Sequence, residues 1–250
     1  MMGSKVRIFH GSPFSIMKTN TFIIQSWFLI TLLSALVCFR ALPFFLYPGI
    51  HFDSDQATFG LMAIQLAKLR SLPIFMYGQK YMLGVQSYLA APFFVFFGAS
   101  ITTIKIPELL VNLITTILLF FILMKELKFT PLAAFFATVP IALPTIALSA
   151  QWMNASGGHI EPMLYVLLLY VLRERTFSFA FLAAIALLHR EWMLAPILSI
   201  WFLLYLESKD LVNGARHLRQ RLAGWLPLFL GAIIVVEWCA YFFSANYLGS

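Results

Sequence analysis

Residues 22–46 form a nearly unbroken apolar stretch whose single charged side chain is Arg40. A helix needs about 20 such residues to cross the hydrocarbon core of a bilayer, whereas the apolar region of a signal peptide runs to about 7–15. Lys5, Arg7 and Lys18 precede the stretch. No convincing small-x-small cleavage site follows it. The expectation is therefore an uncleaved first span with the N-terminus in the cytoplasm. Composition extends this to the whole chain. Of its 250 residues 61% are hydrophobic and 11% charged, against roughly 45–50% and about 25% in a soluble domain. Lipid must then be the solvent for most of the surface. Cys38 and Cys239 both sit in apolar runs, which argues against a disulfide framework.

Six further apolar segments follow, at 106–124, 131–150, 160–172, 176–189, 192–206 and 222–243. The fold class expected is an all-α polytopic bundle of about seven spans, forming one domain over 1–250. Pro107 suits a helix start, and Pro140 and Pro144 predict kinks. The net charge is +7. Its distribution points to topology rather than to nucleic acid. Lys125, Lys128, Arg173, Arg175, Lys209, Arg216, Arg219 and Arg221 fall in segments that would face the cytoplasm, and the short outer loops carry only Arg190. The long outer segment 47–105 departs from this pattern with Lys68, Arg70, Lys80 and Lys105, and binding an anion would account for them. Within it, Phe59, Met62, Ala63, Leu66 and Leu69 repeat at helical spacing, with Gln65, Lys68 and Arg70 opposite. That predicts an amphipathic helix lying on the membrane surface, broken at Ser71-Leu72-Pro73. Gln86 to Phe97 predicts a second apolar helix, interfacial or re-entrant, ending at Gly98. No internal repeat of the kind found in transporters is evident.

The residues with chemical potential gather in the outer segments. Asp53 and Asp55 lie two apart directly after the first span. Such a pair can share a divalent cation, Mg or Mn, or supply a general base. The motif alone reads more readily as a turn followed by a helix N-cap, with Asp55 the cap. Tyr77, Gln79, Lys80 and Tyr81 flank Gly78 and could hold a sugar or a phosphate, or form an interfacial aromatic belt. Lys105 and Arg40, both expected near the outer headgroup level, could bind a lipid phosphate, with simple snorkelling the plainer reading of Arg40. His159 and Glu161 stand in the second outer loop after Gly157-Gly158, and His189 and Arg190 in the third. Asn154-Ala155-Ser156 has the form of a glycosylation sequon too close to the membrane to be used. Glu237 in the last span should face the protein interior. No P-loop, dinucleotide-binding glycine pattern, serine-hydrolase elbow or zinc-protease motif is present.

The order of these features resembles the polytopic GT-C glycosyltransferases, in particular the bacterial relatives of protein O-mannosyltransferases and aminoarabinose transferases. Asp55-Gln56-Ala57 is similar to their Asp-Glu-Ala-type motif, with Gln56 in place of the second acid. Lys105-Ile106-Pro107 is similar to an Arg-Leu-Pro stretch, and Gly157-Gly158-His159-Ile160-Glu161 to a Gly-Gly-aromatic-x-Glu stretch. The resemblance implies hexosyl or mannosyl-type transfer from a polyprenyl-phosphate donor to an unknown acceptor, at the outer face of a bacterial inner membrane. It implies Asp55 as base, Asp53 as its partner or a metal ligand, and Lys105, Arg40 and Lys80 on the donor phosphate. Tyr77, Gln79, Tyr81, His159, Glu161 and Arg190 would line the substrate site. Seven spans match the shared N-terminal module of that class, so the expectation is a fragment, a split gene with a C-terminal partner chain, or a degenerate copy. A non-catalytic subunit or lipid-linked-sugar translocation factor is the alternative, and a transporter the third.

Overall fold

The computed structural model describes residues 13–79, 82–206, 229–231 and 233–234. They are mostly helical, without strands, apart from one isolated bridge between Phe75 and Leu83. The helices are α1 (Pro13–Leu46), α2 (Ser54–Ala67), α3 (Val85–Phe97), α4 (Ile106–Lys125), α5 (Pro131–Ala142), α6 (Ile146–Trp152), α7 (Glu161–Leu172), α8 (Thr176–His189) and α9 (Leu194–Leu206). Single 3-10 turns, Thr103–Lys105 and Glu191–Met193, lead into α4 and α9.

Among the described residues, two stretches are long and apolar enough to cross a bilayer, Phe22–Leu46 and Thr103–Lys125. Three hydroxyls within the first satisfy themselves locally. Ser26, Thr31 and Ser34 donate to the carbonyls of Phe22, Trp27 and Ile30, one turn earlier. Such back-bonding is what a hydroxyl must do where lipid offers no acceptor. The expected third span is two helices, α5 and α6, bent by 79°. The break falls at Leu143-Pro144-Thr145 because proline cannot donate to the ladder, and Thr145 then caps α6 by accepting from the Leu148 amide. Pro140, expected as a kink, stays inside α5. By length and composition the spans among the described residues number two, or three if the bent pair crosses as one. The fourth to sixth expected spans are helices at the expected positions, and α7 and α8 have 12 and 14 residues. At about 1.5 Å per residue those two reach only about 20 Å, short of a hydrocarbon core of about 30 Å. The segment expected as a seventh span lies almost wholly outside the described residues.

α1 and α4 pack antiparallel, with Leu29, Leu33 and Val37 against Phe120 and α5. A second core joins α7, α8 and α9 around Leu169, Phe179, Ala183 and Met193. The chain shuttles between two ends of this bundle. At one end α1 finishes, α4 begins, and the turns before α7 and after α8 meet. At the other, Arg173 pairs with Glu126 at 2.9 Å, near Lys125 and Lys128.

The segment between α1 and α4 has a core of its own. Asp53 caps α2, which buries Phe59, Met62, Ala63 and Leu66 against α3. Those four belong to the five-residue apolar stripe expected from the sequence. The stripe's last member, Leu69, is instead 87% exposed. The helix stops at Ala67, and Leu69 takes a left-handed conformation with φ 51°. Ala155, from the turn before α7, joins the same core, so the segment is docked on the bundle. Phe59 is fully buried at this contact. Phe59→Ala is expected to cost about 3–5 kcal/mol and to undock the segment. Limited proteolysis of 47–105 in lipid nanodiscs should then accelerate, with cleavage elsewhere unchanged.

Candidate functional site

The end of the bundle where α1 hands over to α4 concentrates the polar side chains. Lys105 is 1% exposed. Its Nζ donates to the carbonyl of Pro48 at 2.7 Å and more weakly to that of Ile50 at 3.4 Å, above the Phe44 ring. The cation thus gathers the carbonyls of the turn that closes α1. Arg40 is also buried, so it does not snorkel outward. Its Nη2 donates to Asn112 Oδ1, and its guanidinium lies over Trp152, 5.2 Å from the ring centroid. Asn112 Nδ2 in turn donates to the carbonyls of Glu108 and Trp152, both at 2.7 Å. Arg40 Nε and Nη1 have no acceptor among the described residues.

The two aspartates divide sharply. Asp53, not Asp55, is the helix cap. Its Oδ1 accepts from the Gln56 amide at 2.9 Å, and its Oδ2 accepts from Asn154 Nδ2 at 2.9 Å. Partial burial pushes the Asp53 carboxyl up, but the hydrogen bonds from Gln56, Asn154 and the Asp55 amide outweigh it and hold the carboxyl below its ordinary value. Gln56, the departure from the acidic motif, is fully buried. It braces two loops, donating to the His51 carbonyl at 2.6 Å and accepting from the Ala155 amide at 3.2 Å. A glutamate could accept at Ala155 but could not donate to His51 when ionised. Asp55 is exposed in the first turn of α2, and its carboxylate makes no hydrogen bond or ion pair among the described residues.

Each Asp53 oxygen accepts one N–H and keeps a further lone pair, while the Asp55 carboxylate keeps all of its acceptor sites. Among the described residues no group of three or more His, Cys, Asp or Glu is arranged to hold a metal.

Behind the aspartates lies a hydrogen-bonded chain of buried side chains. Gln86 Nε2 donates to Glu161 Oε1 at 2.5 Å. Gln86 Oε1 lies 3.1 Å from His189 Nε2, and His189 Nδ1 lies 3.0 Å from the Tyr165 hydroxyl. Glu108, on α4, is fully buried within reach of Glu161. Gly157 takes φ 76°, and a Cβ there would overlap the Gln86 amide. A Cβ on Gly158 would sit 2.9 Å from Arg190 Nη2. The Gly-Gly pair is therefore the seat for two long polar side chains. Arg190 closes that seat by donating to the carbonyls of Ser156 at 2.6 Å and Gly157 at 3.2 Å.

The remaining expected site residues are less integrated. His159 is half-buried. Burial pushes its imidazole below the ordinary value, the charge of Glu161 opposes this, Arg190 reinforces it and Asp53 opposes it. The ring is then neutral near pH 7. Tyr77 is half exposed, with its hydroxyl 3.4 Å from Ser71 Oγ. Gln79 Oε1 is buried without a partner among the described residues. Lys80 and Tyr81 lie outside the described residues. Asp53, Lys105, Glu161 and Arg190 thus meet at one end of the bundle, with Arg40 deeper inside it. Glu108, Gln86, Asn112 and Tyr165 were not singled out from the sequence as site residues. Glu108 carried a readable signal, since a carboxylate within an apolar run is costly in lipid and points inward.

Comparison with known protein families, with curated proteins and with solved structures finds no match.

Two outcomes test the site's construction. Gly157→Ala should destabilise by about 1–3 kcal/mol from its positive φ alone, and further through displacement of Gln86. Gly49→Ala, with open space around it, should be near neutral, as thermal melts of the two variants would show. The Asp53 brace works in the opposite sense to acid. Because its folded value is depressed, its contribution is complete above the ordinary aspartate value and is lost as pH falls through the folded one. Asp53→Asn should flatten the acid side of the melting profile below about pH 4.

Proposed function

We propose that this chain is a glycosyltransferase module of the GT-C type, moving a sugar from a polyprenyl-phosphate donor to an acceptor hydroxyl at the outer face of the membrane. The observation that carries the proposal is the contrast between the two aspartates. Asp53 and Gln56 are spent on fastening the first loop to the turn before α7. That leaves the Asp55 carboxylate free of protein partners among the described residues, on a rigid helix start. A free, positioned carboxylate is what proton abstraction from an acceptor requires.

Asp55 takes the acceptor's hydroxyl proton, and the hydroxyl oxygen forms the new bond to the anomeric carbon. The bond from that carbon to the phosphate oxygen breaks, and polyprenyl phosphate leaves with the electron pair. Lys105 and Arg40 are the cations for that phosphate. Arg40 brings two nitrogens without acceptors, and Lys105 has two carbonyl contacts that a phosphate would replace. Lys80 would join them, while Tyr77, Gln79, Tyr81 and His159 would contact sugar or acceptor. Glu161 and Arg190 would shape the site through Gln86 and the Gly157 turn. In the cell the module would lie in a bacterial inner membrane with its N-terminus cytoplasmic. The basic residues at the opposite end of the bundle favour that orientation.

One observation favours a second reading, a binding or translocation factor for lipid-linked sugars. Lys105 is already coordinated by backbone carbonyls, as in a site that holds rather than reacts. The two readings separate in one experiment, using the full chain in nanodiscs with a panel of polyprenyl-phosphate hexoses. A transferase forms glycosylated product, and Asp55→Asn lowers kcat by about 10²-fold or more with donor affinity kept. Unchanged transfer by Asp55→Asn would remove Asp55 from catalysis. Donor binding by the wild type with no transfer would establish the binding factor instead.

A further inference from the structure

The buried chain from Tyr165 to Glu161 has a direction. Gln86 turns its amide nitrogen to Glu161, so its Oε1 faces His189 Nε2 as an acceptor. His189 must therefore carry its proton on Nε2. The neutral ring then leaves Nδ1 to accept from the Tyr165 hydroxyl. Tyr165 donates to His189, His189 to Gln86, and Gln86 to Glu161, so each side chain hands a hydrogen to the next. Glu108 meets the end of this chain from α4. Its carboxyl is fully buried and lies within hydrogen-bonding reach of Glu161. Both Glu108 oxygens and Glu161 Oε2 lack a donor among the described residues.

The surrounding charges do not supply one. Lys105, on the turn before α4, gives its Nζ to Pro48 and Ile50. Arg40, on α1, gives its Nη2 to Asn112. Arg190, after α8, gives its guanidinium to Ser156 and Gly157. His159, in the turn before α7, and His189, on α8, make no ion pair with either carboxyl among the described residues. Two neighbouring carboxylates without a cation, buried from water, cannot both ionise without a large penalty. Three acceptor oxygens in one place, with no hydrogen among them, call for a donor. The smallest that fits a fully buried position is a proton.

We propose that Glu108 and Glu161 form a proton-binding site, a carboxyl–carboxylate pair that shares one proton taken from water. The site is distinct from the transfer chemistry assigned to Asp55 and does not depend on it. The bound proton closes the last hydrogen bond of a line running through α8, α3, α7 and α4. Its loss sets two negative charges against each other where Gln86 clamps α3 to the bundle. The pair is thus a proton-dependent latch on the docked first loop.

Infrared spectroscopy of the full chain in nanodiscs tests this at neutral pH. The wild type should show the C=O stretch of a protonated carboxyl, with the small downshift in D2O that marks an exchangeable proton. Glu108→Gln keeps the side-chain shape and supplies an N–H to Glu161, so it should fold with wild-type helix content and lose the band. Glu161→Gln should also lose it, which keeps the test decisive if one variant fails to fold. Absence of the band in the wild type would overturn the proposal. So would a band of undiminished intensity in a folded Gln variant, which would place the protonated carboxyl elsewhere.

Discussion

A polar group inside a membrane protein must find its partner within the protein, and one face of α4 is where this chain meets that demand. Lys105, Glu108, Asn112, Thr115 and Thr116 are all buried there. The threonines settle the matter locally, donating to the carbonyls of Val111 and Asn112 one turn earlier. The other three reach beyond their own helix, and each draws in a different part of the chain. Lys105 gathers the turn after α1, Asn112 fixes Arg40 and the end of α6, and Glu108 meets Glu161 at the start of α7. The assembly of the whole site end follows from these requirements, because each unmade bond would cost far more in lipid than in water.

The same demand explains why the long segment between α1 and α4 behaves as part of the bundle rather than as a loop. Its own core, around Phe59 and Met62, binds α2 to α3. Its attachment to the rest is largely polar, through Asp53 to Asn154, Gln56 to Ala155 and Gln86 to Glu161. All three bonds converge on the turn before α7 or the first residue of that helix. The glycines of that turn matter because Gln86 and Arg190 must approach its backbone directly. Asp55 is left over from this fastening, and its availability is what gives the site a chemical option.

Much of the fold was legible along the chain because hydropathy and helix punctuation are local. The apolar stripe of α2, the limits of α3, the break at Pro144 and the positions of α7 and α8 follow from spacing, proline and charged turns. Against the seven spans expected, the described residues hold two helices of spanning length, or three with the bent pair, and the apolar helices α7 and α8 on either side of Arg173-Glu174-Arg175 are shorter. The site was legible in its residue types and only partly in its roles. Asp53 against Asp55 as the cap depends on where α2 starts, a matter of one turn that spacing leaves open. Asn154 read as an unused sequon and is a brace, because its partner Asp53 is far away in sequence. Glu108 escaped notice for a related reason. An acid in the first turn of a helix passes for a favourable dipole contact, and only packing against Glu161 shows it buried without a donor.

The central claim is that the first loop is fastened to the turn before α7 with Asp55 held free beside it. A disulfide trap measures this most directly. Cysteines at Asp53 and Asn154, in a chain with Cys38 and Cys239 replaced by serine, should cross-link rapidly under mild oxidation in nanodiscs. A control pair at Asp55 and Asn154 should not. The account predicts near-complete cross-linking of the first pair alone. Absence of that cross-link, or equal cross-linking of both pairs, would contradict it.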